Sequence, residues 1–503
     1  MKTTTWIALL GLALASFLGL LDLTIVNTAL PEIQSELNVG VSQLQWVMTS
    51  LLLALTASMV TLGKLADLHG RRRFLYIGLA LFGIASLGAG WAPNIHVLVL
   101  SRFIQGLGIA LLYTTPLAIL PSIVPPDQQG KATGILVGIS SLGLAMGPAL
   151  GGVILSTLGW RWLFFINPPI VALCFLLCWN TLPESKNQTA TGNLDWAGFL
   201  LLSVSIPLLI LGIVNSQALA FLNPQVIGFI VAAVTGLFAL VLVEQRATSP
   251  VIQFSLLTRH DFLVGLVANF SLAAFYAIDF FLIPLYLHYV RGQSGDEIGF
   301  TLLPATLMLA LWSPLAGRLV DKKGPRTALM LGLTLLSVSA LLQTQFNAHT
   351  PLWAVIGTYL LFGSGWAWIL SPSITAAISS VPADSGGVAA GTLGTFHNFG
   401  GAMGLVVGTL IFSAAAYTRL TSLVTDRHID GGPWLSAAVS NTDQAVNIIA
   451  SNTGLNQPDA TDLFHQFFLH GYASAMWLLV LLPLLSLGFL SLSGKKKTRP
   501  VSE

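Results

Sequence analysis

Charge is scarce in this sequence. Only 8% of its 503 residues are Asp, Glu, Lys or Arg, against about 25% in a soluble chain. Hydrophobic residues make up 54%. That much apolar surface cannot be hidden from water, so the chain belongs in a membrane. The net charge is +2 and the basic residues are not clustered, which leaves no surface for nucleic acid. There are two cysteines, Cys174 and Cys178, one turn apart in an apolar run with no ligating partners nearby. They read as packing residues, and no metal site is expected. A nucleotide-binding P-loop and a nucleophile constellation are also missing. Their absence argues against an enzyme and against ATP-driven transport. No appended soluble domain is recognisable, which disfavours a sensor that does not transport.

What the chain has is long apolar runs. A helix needs about 20 mostly apolar residues to cross a bilayer. Such segments lie near 6–30, 44–66, 74–92, 95–121, 131–157, 161–181, 194–214 and 223–243, and again near 261–290, 298–320, 327–346, 351–380, 388–417 and 470–493. Fourteen spans are therefore expected. The first run is long, lacks a small-residue cleavage site and contains Asp22, so it reads as a retained span rather than a leader. With both termini cytoplasmic, most Lys and Arg face inward, and only Arg161, Arg291, Arg419 and Arg427 face out. The polar stretch 418–469 then lies outside and reads as a cap over the outer face.

The chain repeats itself. GKLADLHGRR at 63–72 and GRLVDKKGPR at 317–326 share Gly, Leu, Asp, Gly and Arg at a constant offset of 254. Gly63, Asp67, Gly70, Arg71 and Arg72 thus have a counterpart motif carrying Asp321 and Arg326. Asp67 can accept from the N–H groups of a neighbouring helix N-terminus, Gly63 permits close packing and Gly70 a tight turn. Such contacts are expected to hold the two halves together on the inner side in one state. A second echo is the stripe Gly143, Gly147, Gly151, matched by Gly400, Gly404, Gly408. Small residues at this spacing let helix backbones approach closely. Two like-oriented halves read as parallel repeats. The organisation expected is a six-helix bundle over 1–187, two inserted spans and a linker over 188–258, a second six-helix bundle over 259–493, and a basic cytoplasmic tail over 494–503.

Four motifs carry a family resemblance. They are LDLTIVNTALP at 21–31, GKLADLHGRRR at 63–73, LSRFIQGLGIALL at 100–112 and GLAMGPALGGVIL at 143–155. Together they resemble the major facilitator superfamily, and within it the fourteen-span drug:proton antiporters of the Emr/Qac type. The last motif, with Gly143, Gly147, Pro148, Gly151 and Gly152, resembles the one associated with exporters. The resemblance implies an all-α integral membrane protein of the major facilitator fold, with two additional central spans. It implies a cavity that opens alternately to each side of the cell membrane, and export driven by the proton gradient without a cofactor.

Polar residues inside spans are costly and usually functional. Asp22 in the first span and Arg102 in the fourth are expected to pair, since these spans are neighbours in the superfamily. The resemblance makes them coupling residues. Asp279 sits in the ninth segment. Asp22 carried forward by 254 reaches position 276, one helical turn from Asp279, so each half presents one embedded acid. Candidate cavity residues are Asn27, Trp46, Gln105, Tyr113, Tyr276 and His397. Aromatic walls with one or two acids suit lipophilic cations. The expected function is proton-coupled export of lipophilic, cationic compounds, with Asp22 holding a proton or a cation in turn. The alternative is a dedicated carrier of one lipid, siderophore or amino acid. Beyond substrate and lipid, a periplasmic adaptor and an outer-membrane channel are the partners to consider.

Overall fold

The computed structural model describes residues 3–125, 129–185, 195–218, 223–246, 254–379 and 386–492. Among these residues the regular structure is entirely helical. The first group of helices is α1 (Thr3–Leu37), α2 (Val41–His69), α3 (Arg71–Gly90), α4 (Ile95–Ile123), α5 (Gln129–Leu158) and α6 (Trp162–Trp179). Two more follow, α7 (Trp196–Ala218) and α8 (Pro224–Glu244). The last group is α9 (His260–Val290), α10 (Gly295–Lys323), α11 (Pro325–Gln343), α12 (Leu352–Ser379), α13 (Gly386–Asp426), the short α14 (Trp434–Ser440) and α15 (Ala445–Thr453), and α16 (Gln457–Leu492). Each of the fourteen apolar segments falls in a helix. Eleven helices are long and apolar enough to cross a membrane among the described residues, or up to thirteen if the bent α2 and α5 each count once. The tail 494–503 and much of the linker lie outside the described residues.

Local chemistry sets the helix ends. Asn94 and Asn223 accept from the amides of Val97 and Gln225 and start α4 and α8. The Ser294 amide donates to Glu297 in a capping box that starts α10. The breaks after α2 and α10 fall at Gly70 (φ 124°) and Gly324 (φ 76°), a backbone conformation that glycine adopts without a Cβ clash.

The two groups pack alike. In the first, α1 runs along α5, α4 lies against α2 and α3, and α6 closes on α1 and α3. In the last, α9 runs along α13, α12 lies against α10 and α11, and α16 closes on α9 and α11. The halves meet along α2 with α13 and along α5 with α10, while α7 and α8 pair together beside α2 and α13. We call inner the end bearing Arg71–Arg73 and Lys322–Lys323. Toward the outer end a single apolar cluster joins both halves, from Leu30, Val47 and Trp160 to Leu282, Leu302 and Phe464. Two further clusters lie beside it: Leu256, Phe262, Leu266, Ala377, Ala389 and Leu393 form one, the first half with Ala402 and Val406 of α13 forms the other, and Phe396 packs against both. The outer stretch expected as a loop at 418–469 begins with the end of α13 and carries α14 and α15. It reaches the other half, where Asn441 and Gln444 donate to Asn38 at 3.3 and 3.0 Å.

The glycine stripes explain the closest approaches. A Cβ on Gly143, Gly147 or Gly151 would lie 2.5 Å from the Phe17 carbonyl, 1.9 Å from Thr24 Oγ1 or 2.6 Å from the Ile25 carbonyl, all on α1. The matching glycines of α13 touch α9: Gly400 meets Phe270, Gly404 meets Ala274 and Gly408 meets Ile278. Pro148 and Gly152 face the other way, across the halves, onto Gly299 and onto Gly295 and Asp296 of α10. The loop motif differs from expectation. A Cβ on Gly63 would make only ordinary contact with Thr114 at 3.6 Å, so this position has no need of glycine for packing. Gly70 does, since its Cβ would meet Glu184 at 2.8 Å in a positive-φ turn.

The crowding at Gly147 leaves no room even for a methyl group. Gly147→Ala is expected to destabilise the detergent-solubilised protein by about 1–3 kcal/mol, the usual cost of overpacking. Adding Thr24→Ala, which removes the obstructing hydroxyl, should recover part of the lost thermal stability. Wild-type melting in the single variant would show that α1 and α5 are not held in this contact.

Candidate functional site

Two buried polar clusters stand out, one in each half. In the first, Asp22 and Arg102 are 1% and 0% exposed and form an ion pair through Arg102 Nη1 and Asp22 Oδ2. The guanidinium is held further: Nε donates to the Val47 carbonyl at 3.1 Å and Nη1 to Gln105 Oε1 at 3.0 Å. Gln105 Nε2 in turn donates to Ser86 Oγ at 2.8 Å. Asn167 Nδ2 reaches Ser86 Oγ at 3.2 Å and Asp22 Oδ1 at 3.5 Å. The Arg102 guanidinium also lies over the Phe164 ring, 5.8 Å from its centroid. Five helices, α1 to α4 and α6, thus contribute to one network. It fixes the charge of Asp22 against a cation that is always protonated.

The second cluster centres on Asp279 of α9, which is fully buried. Tyr359 of α12 donates to its Oδ2 at 2.6 Å, while Oδ1 makes no hydrogen bond. Gln343 of α11 interacts with the carboxylate and accepts from Tyr472 of α16 at 2.6 Å. Tyr472 stacks on Tyr286, whose hydroxyl donates to the Asn347 carbonyl at 2.8 Å near the outer rim.

The two clusters occupy equivalent places. Acid and partner are 80 residues apart in both. Asp22 and Asp279, Ser86 and Gln343, and Arg102 and Tyr359 are each 257 positions apart. So are the glycines of the two stripes. The loop-motif offset of 254 therefore aims three positions short when it reaches 276. Asp279 itself is the counterpart of Asp22.

The loop motif keeps to its own half. Asp67 accepts from Arg71 Nε at 2.6 Å, and Arg71 Nη1 donates to the Ala118 carbonyl at 2.8 Å. Arg72 donates to the Trp179 carbonyl at 2.7 Å, and its amide to Glu184 at 3.1 Å. Arg326 donates to the Leu490 carbonyl at 2.5 Å. Asp67 thus meets its own arginine and not a neighbouring helix N-terminus. These bonds of Asp67, Arg71, Arg72 and Arg326 all stay within their own halves. The side chain of Asp321 lies outside the described residues.

The expected cavity residues separate into two groups. Asn27 is buried in a tightened turn of α1, where Nδ2 donates to the Leu23 carbonyl at 3.4 Å, and Gln105 belongs to the Arg102 network. Neither lines a cavity here. Trp46 is half-buried in the apolar packing of the first half. Tyr113, 43% exposed near the middle of α4, is close enough to interact with Tyr276 of α9. Tyr276 lies between two rings, Trp366 at 5.4 Å and His397 at 5.7 Å. His397 is bonded to Asn269, which donates to Ser373 at 2.6 Å. Tyr113, Tyr276 and His397 therefore form an aromatic and neutral polar surface where the halves face each other. Both acids are sealed away from it. Sequence reasoning missed Ser86, Asn167, Glu184, Gln343, Tyr359 and Tyr472. The shared offset of 257 would have pointed to Gln343 and Tyr359.

The fold has recognisable relatives. Of the solved structures, a bacterial homologue of the human lysosomal transporter Spinster, inward-facing and unoccupied, matches with a TM-score of 0.68 at 16% identity, covering 98% of this chain and 97% of that one. The xylose transporter XylE of E. coli matches with a TM-score of 0.58 at 14% identity, covering 98% and 100%. The multidrug resistance protein Stp of Mycobacterium tuberculosis is 33% identical, covering 85% of this chain and 81% of that protein. The tetracenomycin C resistance and export protein of Streptomyces glaucescens is 28% identical, covering 93% and 88%. The riboflavin transporter RibZ of Clostridioides difficile is 30% identical, covering 83% and 89%. Residues 12–405 match the family described as Major Facilitator Superfamily. The chain belongs to the major facilitator superfamily, a family of multi-pass membrane carriers and not of enzymes.

Proposed function

We propose that this protein is a proton-coupled antiporter that exports lipophilic drugs or toxic compounds from the cell by alternating access. The observation that carries the reading is the pair of carboxylates buried on the first helix of each half. Such groups are costly inside a membrane and mark ion pathways. The similarity to Stp and to the tetracenomycin C exporter supports drugs as the cargo. Within this reading the chain has fourteen spans, in two six-helix bundles over 1–187 and 259–493 with an inserted pair between them, and both termini are cytoplasmic. Asp22, Arg102 and Asp279 form the coupling set. Tyr113, Tyr276 and His397 contribute to the cargo surface. The apolar cluster that joins both halves toward the outer end suits a state closed on that side. The similarity to RibZ favours a second reading, a carrier dedicated to one physiological solute.

Efflux of a compound panel from a pump-deficient bacterium tests the proposal. Expression should lower accumulation of several chemically unlike compounds, and a protonophore should abolish the effect. Export of a single solute would favour the second reading. Export that persists without a proton gradient would rule out proton coupling.

The loop motif yields a separate expectation. In this structure Asp67 holds Arg71 within its own half. In the inwardly closed state the same groups come within reach of the other half. Asp67→Asn should reach the membrane normally but slow transport severalfold at matched expression. Unchanged turnover would reduce the motif to a topology signal.

A further inference from the structure

The two acid clusters are equivalent in position but not in charge. At the place where the first half has Arg102, the second has Tyr359. The difference decides what each acid can do. Asp22 faces a guanidinium that never loses its proton, and the pair is sealed with Gln105, Ser86 and Asn167. Protonating Asp22 would leave that guanidinium buried without a countercharge. Asp279 faces a neutral phenol instead. Its Oδ1 is unbonded, so one oxygen is free to carry a proton while the other still accepts from Tyr359.

We propose that Asp279 is the proton-carrying carboxylate of this transporter, and that Asp22 with Arg102 is a fixed ion pair that positions α1 against α4. The proposal rests on the proton-driven reading above and divides the labour within its coupling set. The proton binds at Oδ1 and leaves the Tyr359 bond to Oδ2 in place. Releasing it leaves a carboxylate that still accepts from Tyr359, with Gln343 close enough to interact with it. The surroundings contain no competing charge among the described residues. Here α12 contributes Tyr359, α11 contributes Gln343 and α16 contributes Tyr472, while α13 presents Gly404 and Gly408 to Ala274 and Ile278. Tyr472 donates to Gln343 and stacks on Tyr286, whose hydroxyl donates to the Asn347 carbonyl at the outer rim, so the acid lies on the side of the second half away from the aromatic surface formed by Tyr113, Tyr276 and His397.

Infrared difference spectroscopy on the purified full chain, acid against alkaline, reads the protonated carboxyl directly. The wild type should show a titrating carboxylic C=O band. Asp279→Asn should lose it. Tyr359→Phe should keep it but move it to higher frequency, because the C=O loses its hydrogen bond. Asp22→Asn alone would strand Arg102, so the matched variant is the double change Asp22→Asn with Arg102→Gln, which should leave the band unchanged. A band that survives in Asp279→Asn, or that disappears in the double variant, overturns the assignment. Transport is measured on the same preparations in liposomes. Asp279→Asn should lose gradient-driven export yet keep cargo exchange without a gradient. A wild-type chain that shows the Asp279 band but exports without regard to the gradient would refute proton coupling while leaving the protonation site in place.

Discussion

A guanidinium in the middle of a membrane protein must be neutralised and held, and much of the first half is arranged to do so. Arg102 takes its countercharge from α1, a carbonyl from α2 and an amide from its own helix, and its neighbours enlist α3 and α6. Removing one member of a buried pair costs about 3–5 kcal/mol, because the other charge is left bare. The network therefore ties five helices into one body. It also accounts for polar residues as ordinary as Ser86 and Asn167 being buried: Asn167 reaches Asp22, and Ser86 accepts from Asn167 and from the Gln105 that binds Arg102.

Where the charges fix the first half, small residues fix how helices stand against each other. Lipid offers helices no hydrophobic drive to associate, so contact has to come from close packing. The glycines of α5 and α13 provide it, each along one face onto the first helix of its half. Pro148 and Gly152 continue the same idea on the opposite face of α5, where the halves meet at Gly295 and Gly299. The interface between halves is thus backbone against backbone near the outer end. A joint with tight, small-residue contacts and few directional bonds suits a motion in which the halves rock as bodies.

Much of this was readable in the sequence. The apolar runs located every long helix, because a bilayer demands a continuous apolar length of known size. Their ends were less legible. α16 begins at Gln457 and α13 continues to Asp426, since helical turns that project beyond hydrocarbon need not be apolar. The pairing of Asp22 with Arg102 followed from the cost of a lone buried charge together with the neighbouring spans that the family resemblance implies. Tyr359 and Gln343 did not follow, because neither carries a charge to betray it. The repeat offset drawn from the loop motif also pointed three positions away. The stretch from 279 to 317 is shorter by that amount than the stretch from 22 to 63, so the helix interiors and the loops do not share one register. Gly63 was over-read: glycine in a recurring motif invites a packing argument, but the space beside it holds a methyl group.

The outer closure has a chemistry of its own. Asn441 and Gln444 clasp Asn38, and the Tyr289 hydroxyl reaches the Pro31 carbonyl at 3.4 Å, all of them uncharged groups. The ion pair at that rim, Arg161 with Glu36, lies within the first half alone. Dissolved ions weaken exposed ion pairs but act little on bonds between neutral amides. The clasp between Asn38 and the α14–α15 segment therefore holds alike in dilute and in concentrated salt.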